Sequence, residues 1–377
     1  MLMRKNSAVI LLLIFIFGIL GKAIASDIEK GNQLYEQGKY NEALPLIKKG
    51  AVSGDAEAQF NLGRMYSKGH GIKQNLEQAM YWYKKSADQG HLKATYNLAY
   101  MYLQGKGVKE NPEKAYKLYL ESAEKGLPAA QFNLALMYFK GKGVKKDNQK
   151  AFEWFYKAAL QGDKEAQFNV ALSYTEGNGI KQGYAKALYW YKKAAEQGYA
   201  KAMFALGLVY RQGEGVPANR DEAIRWYKKA AAQGYAPAMA NLGSLYYPED
   251  AGDLESWDEA YKWYSMAIDH GDRKNAPLGL GLIHLFGSGR YPVDNAKAYS
   301  LFTLAAENGR ADGWYWLGVM EEYGFGRLQD EERAMELYKK AANAGVEPAI
   351  NRLEHGHQDW SLHLFKAIRP LFATPYY

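Results

Sequence analysis

The sequence predicts an all-α fold, an α-solenoid of paired helices, and three regularities predict it. Glycine recurs every 36 residues at Gly54, Gly90, Gly126, Gly162, Gly198 and Gly234, then at Gly271, Gly309 and Gly345 after small insertions. A second glycine pair keeps the same period at Gly69/Gly71, Gly105/Gly107, Gly141/Gly143, Gly177/Gly179 and Gly213/Gly215, and returns at Gly287/Gly289 and Gly324/Gly326; only the unit around Tyr247 to Gly252 lacks it. Between these punctuation points lie segments of about a dozen residues, the length of a globular helix and too long for an ordinary strand. The third regularity is a helical stripe. Ala79, Trp82, Tyr83, Ser86 and Ala87 recur as Ala151, Trp154, Phe155, Ala158 and Ala159, and again as Ala223, Trp226, Tyr227, Ala230 and Ala231. Spacings of three and four place these side chains on one helix face.

Taken in chain order, residues 1–25 come first. Arg4 and Lys5 precede an apolar run from Ala8 to Leu20, followed by Lys22 and the small-residue pattern Ala23-Ile24-Ala25. The run is shorter than the roughly 20 apolar residues a membrane span needs, which fits a secretory signal cleaved after Ala25. An uncleaved anchor is the competing reading, and both export the protein to the periplasm or beyond the cell. No later stretch approaches spanning length, so the expected mature chain has no integral membrane segment.

The remaining composition narrows the chemistry. The 377-residue chain has no cysteine, which excludes disulfides, thiolate metal sites and a cysteine nucleophile. Its 48 Lys+Arg against 41 Asp+Glu give +7, too mild to argue for a nucleic-acid partner. With 48% hydrophobic residues the chain buries a core.

Within the repeats, the residue four before each stripe alanine is a capping type: Asn75, Asn111, Asp147, Asn219, Ser256, Asp294 and Asp330, with Gly183 the weak member. Their side-chain oxygens suit the exposed amides of a first helical turn, and Pro112 stands where proline costs least. Two helices per unit cannot bury their faces alone, so units must stack, alanine allowing close approach and Trp and Tyr filling the gaps.

At this point the residues resemble a known family. The run Ala56-Glu57-Ala58-Gln59-Phe60-Asn61-Leu62-Gly63 to Gly71, followed by the Ala79 to Ala87 stripe, resembles the Sel1-like repeat, a relative of the tetratricopeptide repeat. The resemblance covers eight units over 54–344. Residues 26–53 look like one tetratricopeptide-type capping hairpin, and 345–377 like a partial ninth unit and C-terminal cap. The family implies a right-handed superhelix, monomeric and non-catalytic, that binds a protein partner along its concave face. Within it the chain looks like exported bacterial, LpnE-like members associated with host-cell interaction; periplasmic adaptors for signalling or polysaccharide assembly are the alternative, and a cell-wall hydrolase a remote one. A cysteine-rich, penicillin-binding branch does not fit a chain without cysteine.

The candidate partner site is a ladder of Asn61, Asn97, Asn133, Asn169 and Asn241 at one position of successive first helices, interrupted by Ala205. Asparagine is unfavourable in mid-helix, so five copies ask for a reason. In peptide-gripping tetratricopeptide repeats the matching position faces the groove; the alternative is that the amides bond neighbouring helices. By the same register Phe60, Arg64, Tyr96, Tyr100, Phe132, Phe168, Lys201 and Phe204 are groove neighbours, a mixture suited to a peptide or helix.

Lysine pairs at Lys84/Lys85, Lys192/Lys193, Lys228/Lys229 and Lys339/Lys340 fit the C-terminal ends of second helices, with weak contact to acidic lipid as a minority reading. His355, His357 and His363 lack any fixed zinc spacing, so no metal and no cofactor are expected. Ser122-x-x-Lys125 matches a serine-hydrolase motif, but its companions are missing and Ser122 falls on the small-residue stripe.

Overall fold

The computed structural model describes residues 26–247, 253–287 and 290–356. The expected signal segment with Ala25, Gly252 and Gly289, and residues 357–377 with His357 and His363, lie outside the described residues. Two compact units divide at Gly183 and Tyr184. The first holds α1 (26–36), α2 (Tyr40–Val52), α3 (Ala56–Lys68), α4 (Leu76–Ala87), α5 (Leu92–Gln104), α6 (Pro112–Glu124), α7 (Pro128–Lys140), α8 (Asn148–Leu160) and α9 (Lys164–Glu176). The second holds α10 (Tyr184–Glu196), α11 (Ala200–Gln212), α12 (Arg220–Ala231), α13 (Ala236–Tyr246), α14 (Leu254–Asp269), α15 (Ala276–Phe286), α16 (Asn295–Glu307), α17 (Asp312–Tyr323), α18 (Glu331–Asn343) and α19 (Glu347–His355). Within each unit every helix packs on its sequence neighbour, and among the described residues no strand forms. This is the all-α solenoid the repeats predict.

The helix boundaries follow the capping chemistry. Asn75 Oδ1 accepts from the Gln78 amide at 3.0 Å, and Asn111, Asp147, Asn219, Asp294 and Asp330 do the same for their helices. Ser256 does not cap. Asp253 Oδ1 takes that role, accepting the Ser256 amide at 3.1 Å, so α14 starts one turn earlier and reaches 16 residues. Bonds from the Ser256 hydroxyl and amide hold the Asp253 carboxyl below the usual carboxylate range. First helices have caps too: Asp55 on the Ala58 amide, Asp163 on the Ala166 amide, and His91 Nδ1 on the Ala94 amide. The His91 Nε2 lies 2.9 Å from Glu57 Oε2, which ties the cap to the preceding repeat.

Two contacts set how helices and repeats fit. Inside a hairpin, the second helix drives an aromatic ring against a small residue of the first: a Cβ added at Gly63 would lie 2.6 Å from Tyr83, and one at Gly207 only 2.3 Å from Tyr227. Between repeats, the second glycine of each pair seats its loop on the start of the preceding second helix. A Cβ at Gly179 would stand 2.0 Å from the Asn148 carbonyl oxygen, where no backbone can yield, and its φ of 74° already disfavours a side chain. Gly71 meets Tyr40, Gly107 meets Leu76, Gly143 meets Pro112, Gly215 meets Tyr184 and Gly326 meets Asn295 in the same way.

The second unit buries charge near its end. Glu322, 2% exposed, accepts the Tyr338 hydroxyl at 2.6 Å and the Arg352 guanidinium from α19, Nε at 3.1 Å. Neighbouring Glu321 accepts Tyr299 and Arg327, each at 2.8 Å. Both carboxylates are therefore paired and hydrogen-bonded, the condition under which burial is tolerated. Glu322 in turn pushes the Tyr338 hydroxyl up, after burial itself.

His284 of α15 differs. Its ring is 7% exposed with neither nitrogen hydrogen-bonded among the described residues, and it meets the edge of Tyr261, itself stacked on Tyr291 at 4.3 Å. Burial, helped by Lys297 and opposed by Asp294, holds the imidazole below its usual pKa.

Two expectations follow from this architecture. Gly179→Ala should destabilise the chain by about 2 kcal/mol or more, whereas Gly162→Ala, also at positive φ but with nothing within 4 Å, should cost about 1 kcal/mol of backbone strain; urea unfolding of both compares them. The depressed pKa of His284 means that the unfolded chain takes up a proton that the folded chain refuses. Stability should therefore fall as pH drops below about 6.5, the pKa of a free histidine, and His284→Leu should flatten that fall in melting temperature between pH 7.5 and 5.5.

Candidate functional site

The first helices α3, α5, α7 and α9 carry the amide ladder of the first unit, and the structure spends most of it internally. Asn61, 3% exposed, donates Nδ2 to Asn32 Oδ1 on α1 at 2.9 Å. Its Oδ1 accepts Arg64 Nη1 at 3.2 Å, and Arg64 also reaches Glu36 at 3.2 Å while stacking over Tyr35 at 4.5 Å. Asn97 and Ser67 lie near the Tyr83 hydroxyl on α4 and partly offset the burial that raises Tyr83 to about 12. Asn133 donates to the Tyr96 hydroxyl on the preceding first helix at 3.1 Å and to the Ala129 carbonyl at 2.9 Å. Asn169 makes a bond within its own helix, to the Glu165 carbonyl at 2.8 Å, and stays half-buried.

In the second unit Asn241 is fully buried. It donates to the Pro237 carbonyl at 3.0 Å and accepts Arg211 Nη1 from α11 at 3.0 Å. Asn61, Asn133 and Asn241 thus bond side chains on neighbouring helices, the alternative to a ligand role, in places where an unpaired buried amide would be costly.

The aromatic positions divide in the same way. Phe204 is 8% exposed and packs on Tyr227 at 5.7 Å and Tyr235 at 5.3 Å, so it belongs to the core and is removed from the face. Phe60 is buried against Tyr83 and His91. Half-buried Tyr96 and Phe132 lean on Tyr119 and Phe155 at 5.5 and 5.6 Å. These rings turn toward the second helix of their own hairpin because the seam beside the small residue offers more apolar contact than water does. What the first unit presents to solvent is Tyr100, 40% exposed, with Arg64, Phe132, Phe168 and Asn169 partly so; the second unit presents Lys201. Beside Asn61 a cavity of about 580 Å³ is lined by Ile28, Glu29, Asn32, Gln33, Glu36 and Asp55. No sequence pattern marks Asn32, Glu36 or Arg211, the partners that decide the ladder.

The other candidates take ordinary places. Ser122 is fully buried and donates to the Leu118 carbonyl at 3.1 Å, and Lys125 pairs with Glu121, so the two do not form a nucleophile and base. The late lysines lie against rings, Lys85 over Tyr81 at 5.3 Å, Lys193 over Tyr189 at 5.8 Å, Lys229 over Trp226 at 4.0 Å and Lys340 over Trp314 at 5.1 Å, on the solvated side of their helices. Among the described residues no helix is long and apolar enough to cross a membrane.

A family model for the Sel1 repeat matches residues 56–91, 92–127, 128–163, 164–199, 200–235, 236–272, 278–309 and 313–346. The chain belongs to the Sel1 repeat family. Sel1-repeat proteins are typically non-catalytic scaffolds for protein–protein interaction. A protective antigen present in uropathogenic Escherichia coli strains, displaying an SLR fold, is similar at 30% identity and TM-score 0.79 over 94% of this chain and 77% of that one. A Sel1 repeat protein from Oxalobacter formigenes is 37% identical, TM-score 0.59, over 64% of this chain and 99% of that one. Among curated proteins, DAP3-binding cell death enhancer 1 of Rattus norvegicus is 39% identical over 61 residues, 16% of this chain, and the match spans only 12% of that protein's length.

The stitching predicts a split within the ladder of this Sel1 protein. Asn241→Ala should lower stability by about 1–3 kcal/mol because it removes a fully buried amide together with its bonds to Pro237 and Arg211, whereas Asn169→Ala should stay within about 0.5 kcal/mol; thermal unfolding with circular dichroism distinguishes them.

Proposed function

We propose that this chain is an exported scaffold that holds a protein partner on the first-helix faces of its Sel1 repeats and acts in contact with a host. The observation that carries the scaffold reading is the eight-fold repeat itself, in which helix ends, seams and loops are fixed by the chain's own residues. Such a surface arrives pre-ordered, so a partner meets little ordering cost on binding. Tyr100, Phe132, Phe168, Asn169, Arg64 and Lys201 are the contact residues that remain on these faces. The proposed role needs no catalytic group.

The export reading rests on the Arg4 to Ala25 pattern, with Ser26 as the first residue of the mature chain. The host-facing role draws on the similar protective antigen of uropathogenic Escherichia coli strains. Fractionation tests both. The expected outcome is a chain starting at Ser26, by mass spectrometry, in periplasm and medium; an intact amino terminus confined to the cytoplasm would overturn the assignment. In a pull-down with host-cell extract, Tyr100→Ala with Phe132→Ala and Lys201→Glu should lose the captured protein while helicity is retained.

A further inference from the structure

The loops that follow the first helices of the first unit occupy one edge, and they share a cation. Lys73, Lys109, Lys145 and Lys181 stand 36 residues apart at one loop position, and all four are exposed. The loops are contiguous in space. Gly107 rests on Leu76, three residues past Lys73; Gly143 rests on Pro112, three past Lys109; Gly179 rests on Asn148, three past Lys145. Lys142 further ties the third loop to the second, with Nζ 2.9 Å from Glu110 and 3.5 Å from the Leu103 carbonyl. The row therefore advances by one packed helix per repeat, a step of about 10 Å.

Charge on this edge is one-sided. Loops 68–75, 104–111, 140–147 and 176–183 contain nine lysines against Glu110, Asp147 and Glu176. All three carboxylates are occupied, by Lys142, by the cap of α8 and by Asn178 respectively. Among the described residues, none of the four row lysines pairs with a carboxylate. The corresponding loop 212–219 of the second unit has Glu214 and, in place of the lysine, Pro217. Two aromatic rings accompany the row: Tyr100 and Phe139, each 40% exposed, lie under Lys106 at 5.0 Å and Lys146 at 5.9 Å.

We propose that this edge docks an acidic polyproline-II segment of a partner protein, with a carboxylate at every third residue. A polyproline-II chain turns once per three residues and rises about 9 Å per turn, so such carboxylates fall on one side at nearly the step of the lysines, a mismatch that lysine stems absorb. Tyr100 and Phe139 supply the flat apolar surfaces on which proline rings of extended segments rest. The phosphates of a duplex strand follow one another about every 3.4 Å of helix axis and would leave most charges facing no lysine. The edge borders the first-helix faces proposed above and shares Tyr100 with them, while its four row lysines lie outside them.

The test uses the full chain and fluorescence anisotropy of two labelled peptides of equal composition: one repeating Glu-Pro-Pro five times, the other carrying its glutamates in one block. The periodic peptide should bind at least tenfold tighter, weaken as salt rises, and lose at least tenfold in affinity when Lys73, Lys109, Lys145 and Lys181 are all changed to Gln, with helicity unchanged. Capture by the first-helix faces should be unaffected in that variant. Equal binding of both peptides to the wild-type chain would overturn the proposal in favour of unspecific attraction, and this comparison needs no variant to fold. So would phosphatidylserine vesicles that bind the wild-type chain and are not displaced by the periodic peptide.

Discussion

Five hairpins of this protein close on an aromatic ring that has room only because the residue opposite is glycine. Tyr83, Tyr227, Tyr264 and Tyr338 press on Gly63, Gly207, Gly243 and Gly318, and Phe302 presses on Gly281. The ring is a large apolar surface that the second helix has to bury, so its seat fixes the spacing and rotation of the two helices. Once that seam is set, Phe60, Phe132 and Phe204 of the first helices pack on its rings, at 6.0, 5.6 and 5.7 Å from Tyr83, Phe155 and Tyr227. The surface left for a partner is what the seam does not consume.

Polar groups obey the same economy. Asn61, Asn133 and Asn241 lie in mid-helix, where an amide competes with the backbone, and each is completed by an amide, hydroxyl or guanidinium on an adjacent helix. Glu322 is kept under cover by Tyr338 and Arg352, which fastens α19 to the end of the second unit. His284 has no such partner among the described residues and stays neutral instead.

The sequence made the repeat, the helix pairs and most caps legible because these depend on local rules: a period, a stripe and an oxygen before a first turn. Asp253 in place of Ser256 escaped because both are good caps and the extra helical turn lies in the one unit where the period is broken. The face was harder to read. Which way Phe204 turns, or what Asn133 bonds, depends on Tyr235 or Tyr96, about 30 to 37 residues away, and on which helices those residues reach. The lysines at 73, 109, 145 and 181 were in plain view as letters, yet they form a row only when loops prove to touch one another.

The seating of each loop on the helix behind it gives the array a polarity. Gly107 needs the start of α4 beneath it, Gly143 that of α6, and Gly179 that of α8, whereas none of those helix starts needs its loop in order to exist. Growth of such an array is a roof tiled from one eave: a unit can be added at the far end on a bed already laid, but lifting the first tile exposes the underside of the next. The hairpin α1–α2, which offers Tyr40 to Gly71, is the bed on which the first of these loops is laid.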